Sequence, residues 1–355
     1  MHNSRMKSAL LIPAYKPRER TLPFLKSFKG DEFDYFLVVD DGSGKEYADL
    51  FSSIEKETPF KVISYPVNKG KGGALKEGIA YYSNLKEKPD FIITADCDGQ
   101  HLYKDIMRLK EEASLHNDAL ILGNRTDLYS DDVPIKSIIG NKMGKYHVKL
   151  LTGRTVNDTQ TGLRAIPSSL YPLALAIDGK RYEYEFSFLF SAMEEAEVRF
   201  VDVETIYMDN NADTHYRPIR DTVRIFGNSI LRLFIALVCF GLDIGVFALH
   251  LNVLPARLDW GIIGLASLIG RLFSGIIFSA SIAIFATPNR NKRIMNARNC
   301  LIGSMAMIVL STAIVYPFSL LFENTVAIKI IVELALGAIM FLIHRAYVIH
   351  KWKKK

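Results

Sequence analysis

The stretch FIITADCDGQ, residues 91–100, indicates the fold of the first two thirds of the chain. Its apolar part, Phe91–Thr94, has the length of a buried strand, and a polar turn follows at once. Short apolar runs with a similar ending also occur at Ala9–Ile12, Tyr35–Val39, Lys61–Tyr65 and Ala119–Leu122. Helical patterns lie between these runs, at Lys45–Glu57, Gly73–Leu85 and Tyr103–His116. The alternation predicts an α/β domain in which helices cover a mainly parallel sheet.

The acidic turn in this stretch suggests cation binding. In an extended segment, side chains two positions apart point to the same side, so Asp96 and Asp98 can converge on one ion. Cys97 then points away from that ion, into the core. Oxygen ligands suit Mg²⁺ or Mn²⁺, which commonly bridge a protein carboxylate and a substrate diphosphate. By itself, however, this pattern is more often a solvated turn.

Two further polar segments follow predicted strands. Asp40-Asp41-Gly42-Ser43 places paired carboxylates at a strand end, and Asn68–Leu75 is a glycine-rich approach to a helix. Backbone amides and lysines at such a helix start can face an anion, and a flexible loop is the alternative. Because ligands of parallel sheets bind beyond the carboxyl ends of the strands, we expect these segments at one edge of the sheet.

Composition and missing motifs exclude several classes of protein. Of 355 residues, 49% are apolar, which excludes a disordered chain, and the net charge of +6 is modest for a nucleic-acid-binding protein. Gly42–Lys45 lacks the spacing of a P-loop, Gly70–Gly73 is not a dinucleotide fingerprint, and no nucleophile elbow occurs. Dehydrogenase, ATPase and serine hydrolase functions therefore lack support. The three cysteines have neither metal nor redox spacing and cannot form a disulfide framework.

Residues 230–355 differ chemically from residues 1–229. They carry 13 basic and 4 acidic side chains, a balance of +9, whereas the first part carries 31 basic and 34 acidic ones. Four apolar stretches in the second part approach or exceed the roughly 20 residues that span a bilayer as a helix. They lie at Ile230–Val253, Gly261–Ala286, Cys300–Phe322 and Val326–Ile349. The sequence therefore predicts a cytosolic domain, residues 1–229, and a transmembrane domain of four helices, residues 230–355; a soluble bundle of hydrophobic helices is the alternative.

The distribution of basic residues predicts the orientation in the membrane. Basic side chains concentrate in Thr287–Asn299 and in Lys351–Lys355, whereas the other two connections contain only Arg257 and Lys329. The positive-inside rule places the first domain, the middle loop and both termini in the cytoplasm of a multi-pass protein. Met1–Lys16 lacks the features of a signal peptide, in agreement with this topology.

Several ionisable residues lie within the predicted spans, where buried charge is costly and usually faces the bundle or a polar path. They are Asp243, Arg271, Glu333 and His344–Arg345. We expect Asp243 and Arg271 either to form a structural ion pair or to handle substrate.

A further segment, residues 134–151, combines lysines with regularly spaced apolar side chains. This pattern is typical of an amphipathic helix that lies on an anionic membrane. Packing against the sheet of the first domain is the alternative.

The ordered set of motifs resembles glycosyltransferase family 2, whose catalytic domain has the GT-A fold, an α/β, Rossmann-like architecture. The matching segments are Pro13-Ala14-Tyr15, Asp40–Ser43, Asn68–Gly73 and Asp96-Cys97-Asp98. Asp158–Arg164 resembles the acceptor-side motif of the polyprenyl-phosphate branch, which includes enzymes similar to dolichol-phosphate mannose synthase and bactoprenol glucosyltransferase. The membrane part resembles the GtrA-like domain of four helices that is often fused to such enzymes.

The resemblance implies roles for individual residues. Those expected to hold the nucleotide sugar are Pro13, Ala14, Tyr15, Asp41, Lys71, Asp96, Cys97, Asp98 and Arg217. Mg²⁺ or Mn²⁺ is expected on Asp96, Asp98 and Gln100, and the acceptor phosphate on Arg125 and Lys136. Those expected to be catalytic are Asp98, Asp158 and Arg125, while Glu183 and Glu185 close the acceptor side. Lys16-Pro17 replaces the usual Asn-Glu after the tyrosine, which leaves the choice between UDP and GDP open.

The implied activity is a metal-dependent, inverting transfer of one hexose, from a donor of the UDP-glucose or GDP-mannose type, to undecaprenyl or dolichyl phosphate. The product would be a lipid-linked sugar for cell-envelope glycosylation, and the partners are nucleotide sugar, polyprenyl phosphate and membrane lipid, with no nucleic acid. One alternative is a processive polysaccharide synthase, although Gln160–Arg164 lacks the Q-x-x-R-W motif of such enzymes. Another is a non-catalytic protein that binds or flips lipid-linked sugars.

Overall fold

A computed structural model of the chain describes residues 5–126, 135–204, 218–253, 260–281 and 290–353, apart from some side chains within the helices. The chain divides into two compact units, one containing Met1–Ile225 and the other Phe226–His350. Each unit is described by itself below.

The first unit is built on one sheet of seven strands. They are β1 Ser8–Ala14, β2 Tyr35–Asp40, β3 Lys61–Ser64, β4 Phe91–Thr94, β5 Leu120–Arg125, β6 Arg164–Pro167 and β7 Val198–Val203, and their spatial order is β3-β2-β1-β4-β6-β5-β7. All neighbouring strands are parallel except β6, which is antiparallel to both β4 and β5. The mainly parallel sheet and its first five strands are as predicted, whereas β6 and β7 were not identified from the sequence.

Helices cover both faces of this sheet. They are α1 Thr21–Leu25, α2 Ala48–Glu57, α3 Lys71–Ser83, α4 Tyr103–Leu115, α5 Ile135–Thr152, α6 Tyr171–Ala176 and α7 Tyr182–Ala192. Alternate residues of β1, Leu10 and Ile12, join a core with α1, α2 and α4 on one face. On the other face, Leu11 packs directly over Gly78 of α3. Since β1 is buried at every position, it reads as a continuous apolar run, as expected for a central parallel strand.

The antiparallel strand β6 decides which loops meet at the edge of the sheet. Arg164, its first residue, pairs with Thr94 at the end of β4 and with Leu122 in β5. Because β6 runs in the opposite direction, the residues before it lie at the same edge as the residues after β4 and β5. The segment Asp158–Leu163 is therefore placed beside Asp96 and Arg125.

The second unit is helical. Together with the end of the first unit, it contains α8 Pro218–Val253, α9 Trp260–Ser281, α10 Arg293–Ser319 and α11 Thr325–Lys353. Among the described residues, three helical segments are long and apolar enough to cross a membrane: Leu233–Val253, Gly261–Ser281 and Arg293–Ser319. The predicted fourth span falls within α11, which also carries Lys329 and Glu333, and its crossing of the membrane stays a prediction.

All four of these helices share a core, and next to it lies a network of charged side chains. Asp243 of α8 lies 3.1 Å from Arg271 of α9, so the predicted ion pair forms. Lys329 and Glu333 of α11 join it: Lys329 Nζ lies 2.6 Å from Glu333 Oε1 and 3.8 Å from Asp243 Oδ2, and Arg271 also contacts Glu333. Lys329 Nζ additionally donates to Ser311 Oγ of α10 at 2.9 Å. The network, which sequence analysis recognised only in part, thus links all four helices.

Candidate active site

The loops after β1 and β2 are joined to each other at the carboxyl edge of the sheet. Pro13 and Ala14 are buried, and Tyr15 is half-buried. The N–H of Asp41 donates to the Ala14 carbonyl at 2.8 Å, and the N–H of Lys16 donates to Ser43 Oγ at 2.8 Å. The segments predicted to hold a nucleoside therefore lie side by side.

Asp41 organises the glycine-rich segment. Its buried carboxylate accepts hydrogen bonds from the Tyr65 hydroxyl at 2.6 Å, Asn68 Nδ2 at 2.9 Å and the N–H of Lys69 at 2.7 Å. Burial and the adjacent Asp41 both raise the pKa of Tyr65, so its hydroxyl stays a donor. In this arrangement Asp41 holds the loop that begins at Asn68; its predicted contact with a nucleoside stays a prediction.

The glycines of this loop are required by close packing. Gly70 has a φ of +87°, and a Cβ there would lie 2.5 Å from the Lys180 carbonyl oxygen. A Cβ on Gly72 would lie 2.4 Å from the Cβ of Tyr184. These contacts hold the start of α3 against α7 and the residues before it. Such close packing argues against a flexible loop, which was the alternative explanation for Asn68–Leu75.

The first residue of α3, Lys71, binds the first aspartate of the acidic turn. Lys71 Nζ lies 2.6 Å from Asp96 Oδ1 and 3.1 Å from Glu185 Oε2 of α7. His101 Nε2 lies 3.4 Å from the other oxygen of Asp96. Although burial opposes ionisation, Lys71 and His101 hold the pKa of the Asp96 carboxyl well below its usual range. Asp96 is therefore a fixed negative charge beside an ammonium group.

Asp98 has the opposite electrostatic environment. Burial and the neighbouring charge of Asp96 raise the pKa of Asp98, although its Oδ1 accepts a hydrogen bond from the N–H of Gln100 at 3.0 Å. Cys97 between them packs against the hydrophobic core, as predicted, and burial raises the pKa of its thiol to about 12. Two neighbouring carboxylates of this kind favour a cation between them.

The donor set fits a divalent cation that the protein holds together with a substrate. In the described part of the chain there is no group of three or more His, Cys, Asp or Glu residues placed to hold a metal. Mg²⁺, however, usually takes only one or two protein carboxylates and completes its coordination with phosphates and water. Asp96 and Asp98 with the amide of Gln100 match that mode of binding.

Arg125 and Asp158, both predicted to be functional, bind each other. Arg125 Nη2 donates to Asp158 Oδ1 at 2.9 Å, and its Nε donates to Oδ2, so the pair is bidentate. The Asp158 side chain is completely buried, and the N–H of Gln160 also donates to its Oδ1. Asp158 therefore fixes the plane of the Arg125 guanidinium at the end of β5.

The acceptor-side motif and the acidic turn are in direct contact. A Cβ on Gly162 would lie 2.5 Å from Asp96 Oδ2 and 2.8 Å from Lys71 Nζ, so a larger residue would displace these two side chains. The Thr94 hydroxyl donates to the Gly162 carbonyl at 2.8 Å and anchors this approach. The segment Asp158–Arg164 therefore contacts the acidic turn through Gly162 and Arg125 through Asp158.

Sequence reasoning assigned no individual role to two residues near this site. His101 directly follows Gln100, and its buried ring lies next to Asp96. Its position directly after the acidic turn was the signal that could have identified it. Arg164 closes the acceptor-side motif but is fully buried, where its Nε donates to the Thr161 carbonyl and its Nη1 to the Glu185 carbonyl. Arg164 therefore links β6 to α7 and holds the backbone of Glu185 in place.

Helix α5 packs on the acceptor-side motif. A Cβ on Gly140 would approach the Gln160 amide, and a Cβ on Gly144 would overlap Thr159 Oγ1. Its outer side exposes three apolar side chains, Met143, Tyr146 and Leu150, together with Lys142 and Lys149. An exposed side with apolar and basic residues is compatible with a helix on a membrane, and contact of α5 with a membrane stays a prediction.

Some predicted residues take other roles or cannot be placed. Glu183 Oε1 accepts the N–H groups of Lys180 and Arg181, so it caps the start of α7. The side chain of Lys136 in α5 and the whole of Arg217 lie outside the described residues.

Comparison with known proteins gives a family and several relatives. Residues 9–171 match the model of the family described as glycosyl transferase family 2. An uncharacterized protein of Methanocaldococcus jannaschii is 32% identical over 229 residues, which are 62% of this chain and 88% of that protein.

Two relatives have names that state an activity. The UDP-N-acetylglucosamine–dolichyl-phosphate N-acetylglucosaminyltransferase of Methanococcus voltae is 27% identical, over 62% of this chain and 92% of that protein. The dolichyl-phosphate beta-glucosyltransferase of Dictyostelium discoideum is 26% identical, over 61% of this chain and 73% of that protein. Together, the family model over residues 9–171 and a 32% identical relative, of which this chain covers 88%, show that the chain is a glycosyltransferase and belongs to glycosyltransferase family 2.

Proposed function

We propose that the protein transfers a single sugar from a nucleotide sugar to a polyprenyl phosphate, with inversion at the anomeric carbon. The observation that carries this proposal is the contact between the acceptor-side motif and the acidic turn, where Gly162 lies against Asp96 and Lys71. A donor diphosphate at Asp96 and Asp98 and an acceptor phosphate near Arg125 would then share one site.

The names of the relatives support a more specific assignment. One is named for a UDP-linked N-acetylglucosamine donor, another for glucosyl transfer, and both for a dolichyl-phosphate acceptor. We therefore propose a UDP-sugar donor, glucose or N-acetylglucosamine, and place GDP-mannose second. The acceptor is dolichyl phosphate or its bacterial counterpart, undecaprenyl phosphate.

The residues of the site divide the work. Asp96, Asp98 and Gln100 would hold Mg²⁺ or Mn²⁺, which neutralises the diphosphate leaving group when bound. Lys71, at the start of α3, adds a positive charge beside the same diphosphate. Arg125 receives the acceptor phosphate, and Asp158 acts as a positioning residue because both its oxygens already bind Arg125.

No strong general base is required for this reaction. The attacking group is a phosphate monoester, whose second pKa near 6 leaves it largely ionised at neutral pH. Alignment of the two phosphates and neutralisation of the leaving group therefore account for the catalysis that the chain must provide. This reasoning makes Asp158 part of the acceptor site and gives it no proton to accept.

The membrane part would keep the catalyst at its lipid substrate. We propose that α8 to α11 form a GtrA-like bundle of four spans, with the catalytic domain and both termini in the cytoplasm. Met143, Tyr146 and Leu150 of α5 would rest on the cytoplasmic leaflet, with the lysines of that helix facing anionic headgroups. The isoprenoid tail then stays in lipid while its phosphate reaches Arg125.

One assay tests the proposal. Purified protein in liposomes is mixed with dolichyl or undecaprenyl phosphate, Mg²⁺ or Mn²⁺, and UDP-glucose, UDP-N-acetylglucosamine or GDP-mannose in parallel. We expect one glycolipid with a single sugar of inverted configuration, and EDTA abolishes its formation. A polymeric product would show a processive synthase, and the absence of glycolipid from every donor, or full activity of Asp98→Ala, would overturn the proposal.

A further inference from the structure

The ammonium group of Lys71 lies between two carboxylates, one in the loop after β4 and one on helix α7. It is 2.6 Å from Asp96 Oδ1, after β4, and 3.1 Å from Glu185 Oε2, on α7. Glu185 is buried, and its Oε1 makes no hydrogen bond to any residue that the structure describes. One ammonium group therefore contacts two carboxylates, and Oε1 of Glu185 is available to accept a hydrogen bond from it.

The backbone of Lys71 is held while its side chain can move. Gly70 and Gly72 on either side are packed against Lys180 and Tyr184 with no room for a Cβ. The lysine stem has four carbons, and 19% of the side chain is exposed, so the ammonium group can shift between two nearby oxygens without moving α3. Its position at a helix N-terminus disfavours a cation, which makes the two carboxylates necessary partners.

Lys71 and a divalent cation compete for the same aspartate. An ammonium group in contact with Asp96 Oδ1 neutralises that carboxylate and repels a second cation at the same oxygen. A divalent cation held by Asp98 and by Oδ1 of Asp96 therefore requires that Lys71 move away from that oxygen. Glu185 is the carboxylate already within reach of Lys71 Nζ.

We propose that Lys71 is a movable counter-charge shared by Asp96 and Glu185, and that Glu185 frees Asp96 for the divalent cation by taking over the ammonium group. The inference rests on the proposed function, in which Asp96 and Asp98 hold that cation. Glu185 is then a positioning residue: it acts on the metal site only through Lys71. Arg164, which donates to the backbone carbonyl of Glu185 at 2.7 Å, holds Glu185 where it can do so.

The test is direct measurement of Mn²⁺ binding to the full-length protein in detergent, by electron paramagnetic resonance, without donor or acceptor. Four forms are compared: wild type, Lys71→Met, Glu185→Gln and the double variant. Loss of the competing charge in Lys71→Met tightens Mn²⁺ binding by about tenfold, the order expected for one like charge at a partly solvated site. Glu185→Gln weakens binding by about fivefold, because Lys71 then stays on Asp96.

The double variant carries the decisive comparison. Without Lys71, Glu185→Gln has no effect, so the double variant binds Mn²⁺ as tightly as Lys71→Met. Lys69→Met is the matched control, because Lys69 binds Glu77 at 2.5 Å and lies over the Tyr65 ring. This control binds Mn²⁺ like the wild type, and the melting temperature of each variant confirms that it is folded.

Three outcomes of the Mn²⁺ measurement would overturn the inference. If Glu185→Gln weakens binding equally with and without Lys71, Glu185 is itself a metal ligand. If Lys71→Met binds Mn²⁺ no more tightly than the wild type, the two cations do not compete. A wild-type protein that binds no Mn²⁺ removes the metal site and this inference together. Failure of the glycolipid assay with Mn²⁺ binding intact would refute the proposed reaction alone.

Discussion

Two groups of charged side chains in this protein are built differently. The cleft cluster, Lys71, Asp96, Asp98 and Glu185, has three carboxylates for one ammonium group, and 31% of the Asp96 side chain is exposed. The bundle network, Asp243, Arg271, Lys329 and Glu333, pairs two carboxylates with two cations, and each carboxylate contacts both cations. At most 17% of any side chain in the bundle network is exposed.

The difference follows from what each group must do. A buried charge is tolerated only when it is paired, so the bundle network is balanced and closed, and it joins four helices. The cleft cluster has an excess of negative charge, and its Asp96 side chain is partly exposed to solvent. Its net negative charge favours the binding of an added cation, whereas the charges of the bundle network already balance.

The same substitution in each group separates these roles most strongly. In the cleft, Asp98→Asn should lower glycolipid formation by about 100-fold or more, since a diphosphate leaving group depends on the charge held there. Because the pKa of Asp98 is raised in the folded protein, its ionised form disfavours folding at neutral pH. The melting temperature should therefore stay the same or rise.

The control for this variant is Asp118→Asn, at an exposed position, which should leave both activity and melting temperature unchanged. A cleft variant that loses stability along with activity would show that Asp98 supports the fold and would remove the contrast with the bundle.

In the bundle network, Asp243→Asn should cost about 3 kcal/mol of stability, as when one member of a buried ion pair is removed. Arg271 and Lys329 would both lose a partner. Thermal unfolding in detergent, followed by the loss of helical circular dichroism, measures the effect. Glu323→Gln, at an exposed position between α10 and α11, serves as the control with no expected change. An unchanged midpoint for Asp243→Asn would mean that the network does not hold the helices together.

A smaller change at the cleft tests its crowding. Gly162→Ala places a methyl group 2.5 Å from Asp96 Oδ2, so the carboxylate must shift and activity should fall by about tenfold, the cost of a small misplacement. The measurement is initial rate against metal concentration. Gly227→Ala is a matched control, since a Cβ there meets nothing within 4 Å. Equal activity of both variants would argue against a close contact between the acceptor-side motif and the acidic turn.

The smallest effect is expected at the exposed side of α5. Replacing Met143, Tyr146 and Leu150 by serine should reduce activity on anionic liposomes by about threefold, because less apolar surface enters the interface. Activity in detergent micelles should not change. Leu115→Ser, at a still more exposed position on α4, is the control. The same loss in liposomes and in micelles would indicate a packing role for α5 in place of membrane contact.

Sequence patterns predicted much of this structure, for physical reasons that are local. Buried parallel strands need continuous apolar runs, so β1 to β5 could be recognised, and the helices α2, α3 and α4 between them followed from periodicity. Asp96 and Asp98 could be placed at a strand end for the same reason. The ion pair of Asp243 with Arg271 was one of two expectations for those residues, and it is present.

The contacts between distant segments could not be predicted in this way. Strand β6 has only four residues, and nothing in its composition shows that it runs antiparallel between β4 and β5. The bidentate bond of Arg125 to Asp158 depends on that strand. The roles of Arg217 and of the Lys136 side chain stay predictions, because both lie outside the described residues.

The amino-acid sequence by itself determined the two-part organisation, the mainly parallel sheet and the identity of the acidic turn, because hydrophobic periodicity and strand-end polarity act over a few residues. The tertiary structure alone decided which side chains share the site. It placed Lys71 between Asp96 and Glu185 and brought Gly162 next to Asp96 and Lys71. It also brought four charged side chains of the helical bundle into one network. The reason is that charge pairing depends on distance in space, and residues far apart in sequence become neighbours only when the sheet and the helices have packed.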